Sequence, residues 1–117
     1  MHALERAKER YGLDLTKDDL SKISKRCVKL ISATKLGVKD IHGHFRKMKG
    51  AEGPYKLEYN GTLVYVVLTR SNKEDDKRYY IMTFLPIPED KGLNYITSKM
   101  YREVTKEREV KWALEGR

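Results

Sequence analysis

The stretch YKLEYNGTLVYVVLTR, residues 55–70, constrains the fold more than any other part of the chain. It holds two strand-like runs around Asn60-Gly61, a pair that tolerates the positive φ angles of a two-residue hairpin turn. A lone hairpin is barely stable in water, so this one needs further strands or helices against it. The polar loop SNKEDDK leads into RYYIMTFLP, which reads as a further strand ended by Pro86. Upstream, DIHGHFRKM alternates: Ile41, Gly43 and Phe45 on one face, His42, His44 and Arg46 on the other. Gly50 to Pro54 reads as loop. Four runs in this order predict a meandering antiparallel sheet.

Before the strands the apolar period is helical. A first helix over about His2 to Tyr11 carries Leu4, Ala7 and Tyr11 as its stripe, with Gly12 as its stop. Thr16 is placed to cap a second helix, and Asp18 and Asp19 suit the positive end of its dipole. Its stripe is Leu20, Ile23, Cys27, Leu30 and Ile31, with Lys22, Lys25, Arg26 and Lys29 turned away, and it fades between Ala33 and Gly37. After Pro88 a loop leads to TSKMYREVTKEREVKWALEGR, a helix with a ragged stripe that includes Tyr101, Val104, Trp112 and Leu114, capped by Thr97 or Ser98. The expected class is α+β: two N-terminal helices on a four-stranded antiparallel meander sheet, plus a C-terminal helix. Residues 1–88 form the domain and 89–117 a mostly helical extension.

A chain of 117 residues buries roughly 65% of its unfolded surface, enough for one core without staples. The single Cys27 lies on the apolar stripe and reads as core; it excludes an internal disulfide and points to a reducing compartment. No secretory leader and no membrane-length apolar run stands in the sequence, so a cytoplasmic protein with no membrane partner is expected. Lys and Arg number 25 against 17 acids, a formal charge of +8. That balance favours nucleic acid, an acidic protein or an anionic surface as partner, though it also serves plain solubility.

The opening HALERAKERYGLDLTKDDL has the form His-x-x-x-Arg-x-x-x-Arg, a glycine and a Leu-Thr helix start, and the last strand carries IMTFLP. With the order helix, helix, four antiparallel strands, this resembles small, mostly phage-encoded domains near the metal-independent ribonucleases of the barnase, colicin-nuclease and RelE-toxin superfamily. The resemblance covers roughly residues 2–86. It implies RNA cleavage through the ribose 2′-hydroxyl at a site lined by the first helix and last strand, and a host cytoplasm as location. It carries to His2, Arg6 and Thr83, and less directly to Arg10. Met1 immediately before His2 departs from the pattern and leaves the histidine at the chain's extremity.

Such chemistry needs a base at the 2′-hydroxyl, an acid at the leaving oxygen and cations for the transition-state charge. His2 would be the base, Arg6 a bidentate phosphate clamp, Arg10 its extension, and Thr83 a hydrogen-bonding partner. Against this stand a surface histidine, arginines paired with Glu5 or Glu9, and a threonine chosen for strand propensity. Lys22, Lys25, Arg26, Lys29, His42, His44 and Arg46 supply further cations for nucleic acid. Tyr59 stands for the strand tyrosines that would stack bases, unless these simply fill a half-buried sheet. His42 and His44, two apart on a strand, have the spacing of a metal pair, but no third ligand is fixed, so no metal and no cofactor is assigned.

Two readings follow. One is a protein that binds RNA and cleaves it by metal-independent acid–base chemistry. The other is a non-catalytic, phage-encoded inhibitor or interaction protein docking on a host protein or nucleoprotein complex. A homodimer through the C-terminal helix, with Trp112 and Leu114 buried between chains, is a third arrangement.

Overall fold

The computed structural model describes residues 2–47, 50–71, 78–89, 91 and 94–103. In chain order it contains α1 (His2–Tyr11), α2 (Lys17–Lys29), β1 (Ala33–Lys35), β2 (Gly37–Lys39), β3 (Phe45–Lys47), β4 (Tyr55–Tyr59), β5 (Thr62–Arg70), β6 (Tyr79–Phe84) and β7 (Tyr95–Thr97). A C-terminal helix begins at residue 98 and is described to 103. The class is α+β. The four-stranded antiparallel sheet has the order β1-β4-β5-β6, and a smaller sheet has the order β3-β2-β7, in which β2 and β7 run parallel.

Local chemistry explains the best-defined boundaries. Thr16 Oγ1 accepts the Asp19 amide at 3.2 Å, and Asp19 Oδ2 accepts the Thr16 amide at 2.9 Å, a reciprocal capping box. Gly12, at φ +66°, closes α1, and Asn60 and Gly61, at φ +50° and +78°, make the hairpin turn between β4 and β5. The Met100 amide donates to Thr97 Oγ1 at 3.4 Å and marks the start of the C-terminal helix.

The central strand, β5, is covered on both faces. Val64, Val66 and Leu68 belong to a core with Ala3, Ala7, Ile23 and Cys27 of the helices. Tyr65 and Val67 belong to a second core with Leu36, Met82, Leu85, Ile96 and Met100. Five consecutive buried residues, 64–68, therefore form a strand without a solvent face. Polar side chains stitch the helices to the strands. Tyr11 Oη donates to the Leu85 carbonyl at 2.7 Å and accepts the Tyr65 amide at 3.1 Å, filling the fork where β5 and β6 part. Ser24 Oγ donates to the Tyr79 carbonyl at 2.6 Å.

Two expected boundaries move. The edge strand of the larger sheet is Ala33–Lys35, whereas residues 40–44 form a turn. Asp40 Oδ1 accepts the amides of His42 and His44, each at 2.9 Å, and Gly43 adopts φ +82°. This side-chain-to-backbone pattern overrides the alternation of Ile41, Gly43 and Phe45. Likewise α2 stops at Lys29. The Leu30 amide donates to the Cys27 carbonyl at 3.1 Å and that of Ile31 to Arg26 at 3.0 Å, with Leu30 at φ +53°. Leu30 and Ile31 thereby leave the apolar stripe and stand 55% and 56% exposed.

Candidate nucleic-acid interface

Of the residues assigned to RNA cleavage, Arg6, Arg10 and Thr83 do not meet at one accessible site. His2 begins α1, and its side chain lies outside the described atoms. Arg6 Nη1 pairs with Glu9 at 2.8 Å. Arg10 is part of the fold: Nη1 donates to the Phe84 carbonyl at 2.6 Å, and Nη2 lies 3.7 Å from Glu103. Thr83 is fully buried and pairs in register with Val67 of the second core, on the sheet face turned away from the helices. It cannot touch a phosphate, which corrects its catalytic assignment. Its Oγ1 donates to the Phe84 carbonyl at 3.4 Å.

Tyr59 is corrected in the same way. Its ring is buried in the helix-side core, and its hydroxyl donates to Asp19 Oδ1 at 2.6 Å. That bond, to an already anionic partner, pushes the phenol up to about 12 and draws Asp19 below the usual carboxylate range. Tyr55 and Tyr65 are buried too, so most of the strand tyrosines are core and not stacking platforms. Burial likewise pushes the Cys27 thiol up to about 12, consistent with an inert side chain.

The remaining cations divide between two sides of the larger sheet. Lys22, Lys25, Arg26 and Lys29 lie on the exposed side of α2. Lys22 pairs with Asp18 at 3.2 Å, and the Arg26 guanidinium sits 5.4 Å above the Tyr59 ring. His42, His44 and Arg46 are exposed on the β2–β3 hairpin, which belongs to the small sheet beside the second core. The imidazoles lie 6.1 Å apart at the turn, and not on a strand as expected. Chiefly the His44 amide, with that of His42, holds the Asp40 carboxyl below its ordinary range and so keeps the turn closed. Among the described residues no three His, Cys, Asp or Glu side chains gather as a metal site.

The small sheet brings together residues that sequence reasoning missed. By register, Gly37, Lys39, Phe45, Tyr95 and Thr97 share one face, while Val38 and Ile96 share the other and pack into the second core. The Phe45 ring lies across Gly37 so closely that a Cβ there would come within 2.5 Å of it. Only glycine leaves room, and the ring is thereby held in place while 53% of Phe45 remains exposed. Tyr95 meets it edge-on, with ring centroids 6.4 Å apart at 77°. Lys39 Nζ stands 5.0 Å over the Tyr95 ring. Two aromatic rings and an ammonium on this face can take an unpaired base and the phosphate next to it, whereas Arg46, opposite Val38 in the register, belongs to the other face. The signal is not local, because Tyr95 reaches this face only through the parallel β2–β7 pairing.

Comparison with known proteins finds no matching family model, no matching curated protein and no matching solved structure. Among the described residues no helix is long and apolar enough to cross a membrane.

Proposed function

We propose that this protein binds single-stranded RNA through the exposed face of the small sheet and does not cut it. The observation that carries the reading is Phe45, pinned over Gly37 beside Tyr95 and Lys39 with its outer surface in solvent. An exposed phenylalanine costs solubility and contributes little to a core, whereas every base has a face that stacks on it. The +8 charge adds the long-range attraction that such a site needs. Buried Cys27 and the basic composition fit a cytoplasmic location. Cleavage is left out because Thr83 is sealed inside the fold and Arg10 is bonded to the backbone of Phe84.

Fluorescence anisotropy with labelled oligouridine tests the proposal. Phe45→Ala is expected to weaken binding about 5- to 150-fold, the range of one lost base stack of ~1–3 kcal/mol. A duplex of equal charge is expected to bind less well and to be indifferent to the substitution. Equal loss on both, or no loss on either, would remove the stacking site. Total RNA incubated with protein and chelator is expected to stay intact; cutting that disappears in His2→Ala would reinstate catalysis.

A further inference from the structure

We infer that the corner closing α2 is a docking site for an extended acidic protein segment bearing aliphatic side chains. It is independent of the RNA-binding reading and lies on the helix side of the larger sheet. Val28, Leu30 and Ile31 stand 46%, 55% and 56% exposed within four consecutive residues, so the chain presents an aliphatic patch where most helix ends are polar. The backbone there is also unusual. Leu30 and Ser32 both adopt left-handed angles, φ +53° and +57°. Glycine or asparagine fits that geometry at lower cost, and a leucine left 55% exposed there recovers only part of what burial would contribute. The side chain is held outward at the expense of the turn, which is the signature of a residue kept for contact and not for folding.

Charge identifies the occupant. From Leu20 to Lys39 the chain carries six Lys or Arg and no Asp or Glu, and Lys25 and Lys29 flank the patch in the exposed part of α2. A second copy would bring the same lysines against themselves. Nucleic acid satisfies the lysines, but its bases stack on rings and gain little from leucine and isoleucine. An acidic segment with aliphatic side chains satisfies both parts. Among the described residues β1, which begins two residues beyond Ile31, is an edge strand of the larger sheet and pairs with β4 alone, so an extended segment also finds backbone groups to pair with.

Methyl-labelled full-length protein titrated with two synthetic peptides tests this. Both peptides carry the same leucines at alternate positions, one with glutamates between them and one with lysines. The glutamate peptide is expected to give saturable shifts of the Val28, Leu30 and Ile31 methyls, and the lysine peptide none. Leu30→Asn, which suits the left-handed turn, is expected to keep or raise the melting temperature while weakening the glutamate peptide at least tenfold. Phe45→Ala should leave that affinity unchanged. The inference is overturned if both peptides bind alike or if Leu30→Asn binds as wild type. It is equally overturned if the same methyls shift with protein concentration alone, which would mean a second copy, or with oligouridine. Movement of those methyls on deleting residues 104–117 would assign the patch to the chain's own C-terminus and overturn it too.

Discussion

The two coverings of β5 are built on different terms. On one face α1 and α2 pack against Val64, Val66 and Leu68, and among the described residues five helix side chains also reach strand groups: Tyr11, Arg10, Ser24 and Arg26 bond to backbone, and Asp19 to Tyr59. On the other face Tyr65 and Val67 are closed over by Leu36, Ile96 and Met100, residues of two three-residue strands, their approaches and a helix start. The first covering cannot lift without stranding buried polar groups. The second is held by apolar contact, short ladders and a bond from the buried Tyr65 hydroxyl to the Lys91 carbonyl at 3.0 Å, and its outer face carries the exposed Phe45 ring. On the proposed RNA-binding reading, permanence resides on the helical side and recognition on the side with fewer ties.

The largest test of that contrast is Tyr11→Phe. It keeps the edge-on packing against Phe84, at 5.9 Å between centroids, but removes the hydroxyl that accepts the Tyr65 amide and donates to the Leu85 carbonyl. A loss of about 2–4 kcal/mol in urea unfolding is expected, and a loss below about 1 kcal/mol would deny that the helical side is stitched. Gly37→Ala strikes the other covering. Its new methyl meets the Phe45 ring and the Arg46 carbonyl, the latter at 2.7 Å, so a cost of about 1–3 kcal/mol is expected together with weaker oligouridine binding. Full RNA affinity in that variant would break the link between the pinned ring and recognition.

Tyr59→Phe returns to the helical side with a smaller effect, about 1 kcal/mol near neutral pH, from the lost bond to Asp19. The phenol titrates at about 12 in the folded protein against 10.0 for the free group, so its contribution is complete below pH 10 and disappears as pH rises through about 12. Asp19 is lowered, so its share persists above the ordinary carboxylate range and is lost only as pH falls through the folded value. Between pH 10 and about 12 stability should therefore fall less steeply in Tyr59→Phe, where the share of the buried Cys27 thiol remains, and keep its full slope in Phe45→Ala. The smallest effect belongs to Thr83→Val, whose hydroxyl makes a long 3.4 Å bond to the neighbouring carbonyl. A change within about 1 kcal/mol and unaltered RNA affinity are expected. Loss of an RNA-directed activity in that variant would return Thr83 to a working site.

What is legible in the sequence is local. Thr16 with its box, Gly12, and the Asn60-Gly61 turn each act within four residues, and the α+β class follows from the change of period around them. Alternation misplaces the edge strand because Asp40 imposes a turn on an alternating stretch, which hydrophobic period alone does not report. The apolar stripe sets the end of α2 too late because a leucine takes the position usually left to glycine. Two kinds of information are not in the pattern at all. Tyrosine content does not say which rings are interior, and Tyr59 and Tyr65 are core while Phe45 is not. Nor does it say that β7 lies beside β2, the pairing that makes Phe45 and Tyr95 neighbours. Trp112 and Leu114, with the dimer they would form, fall outside the described residues.

The parallel pairing of β2 with β7 also sets a timetable. Gly37 must wait for Tyr95, roughly 60 residues later, which at ~5–20 residues per second is about 3–12 s of synthesis. Once Arg70 is made, for about the last 25 residues and so about 1–5 s of that interval, the hairpin of β4 and β5 can close on α1 and α2 while Tyr65 and Val67 stay uncovered. A growing chain thus passes through a stage with one finished face and one bare apolar face, and during that stage a chaperone, or a neighbouring nascent chain, meets it first.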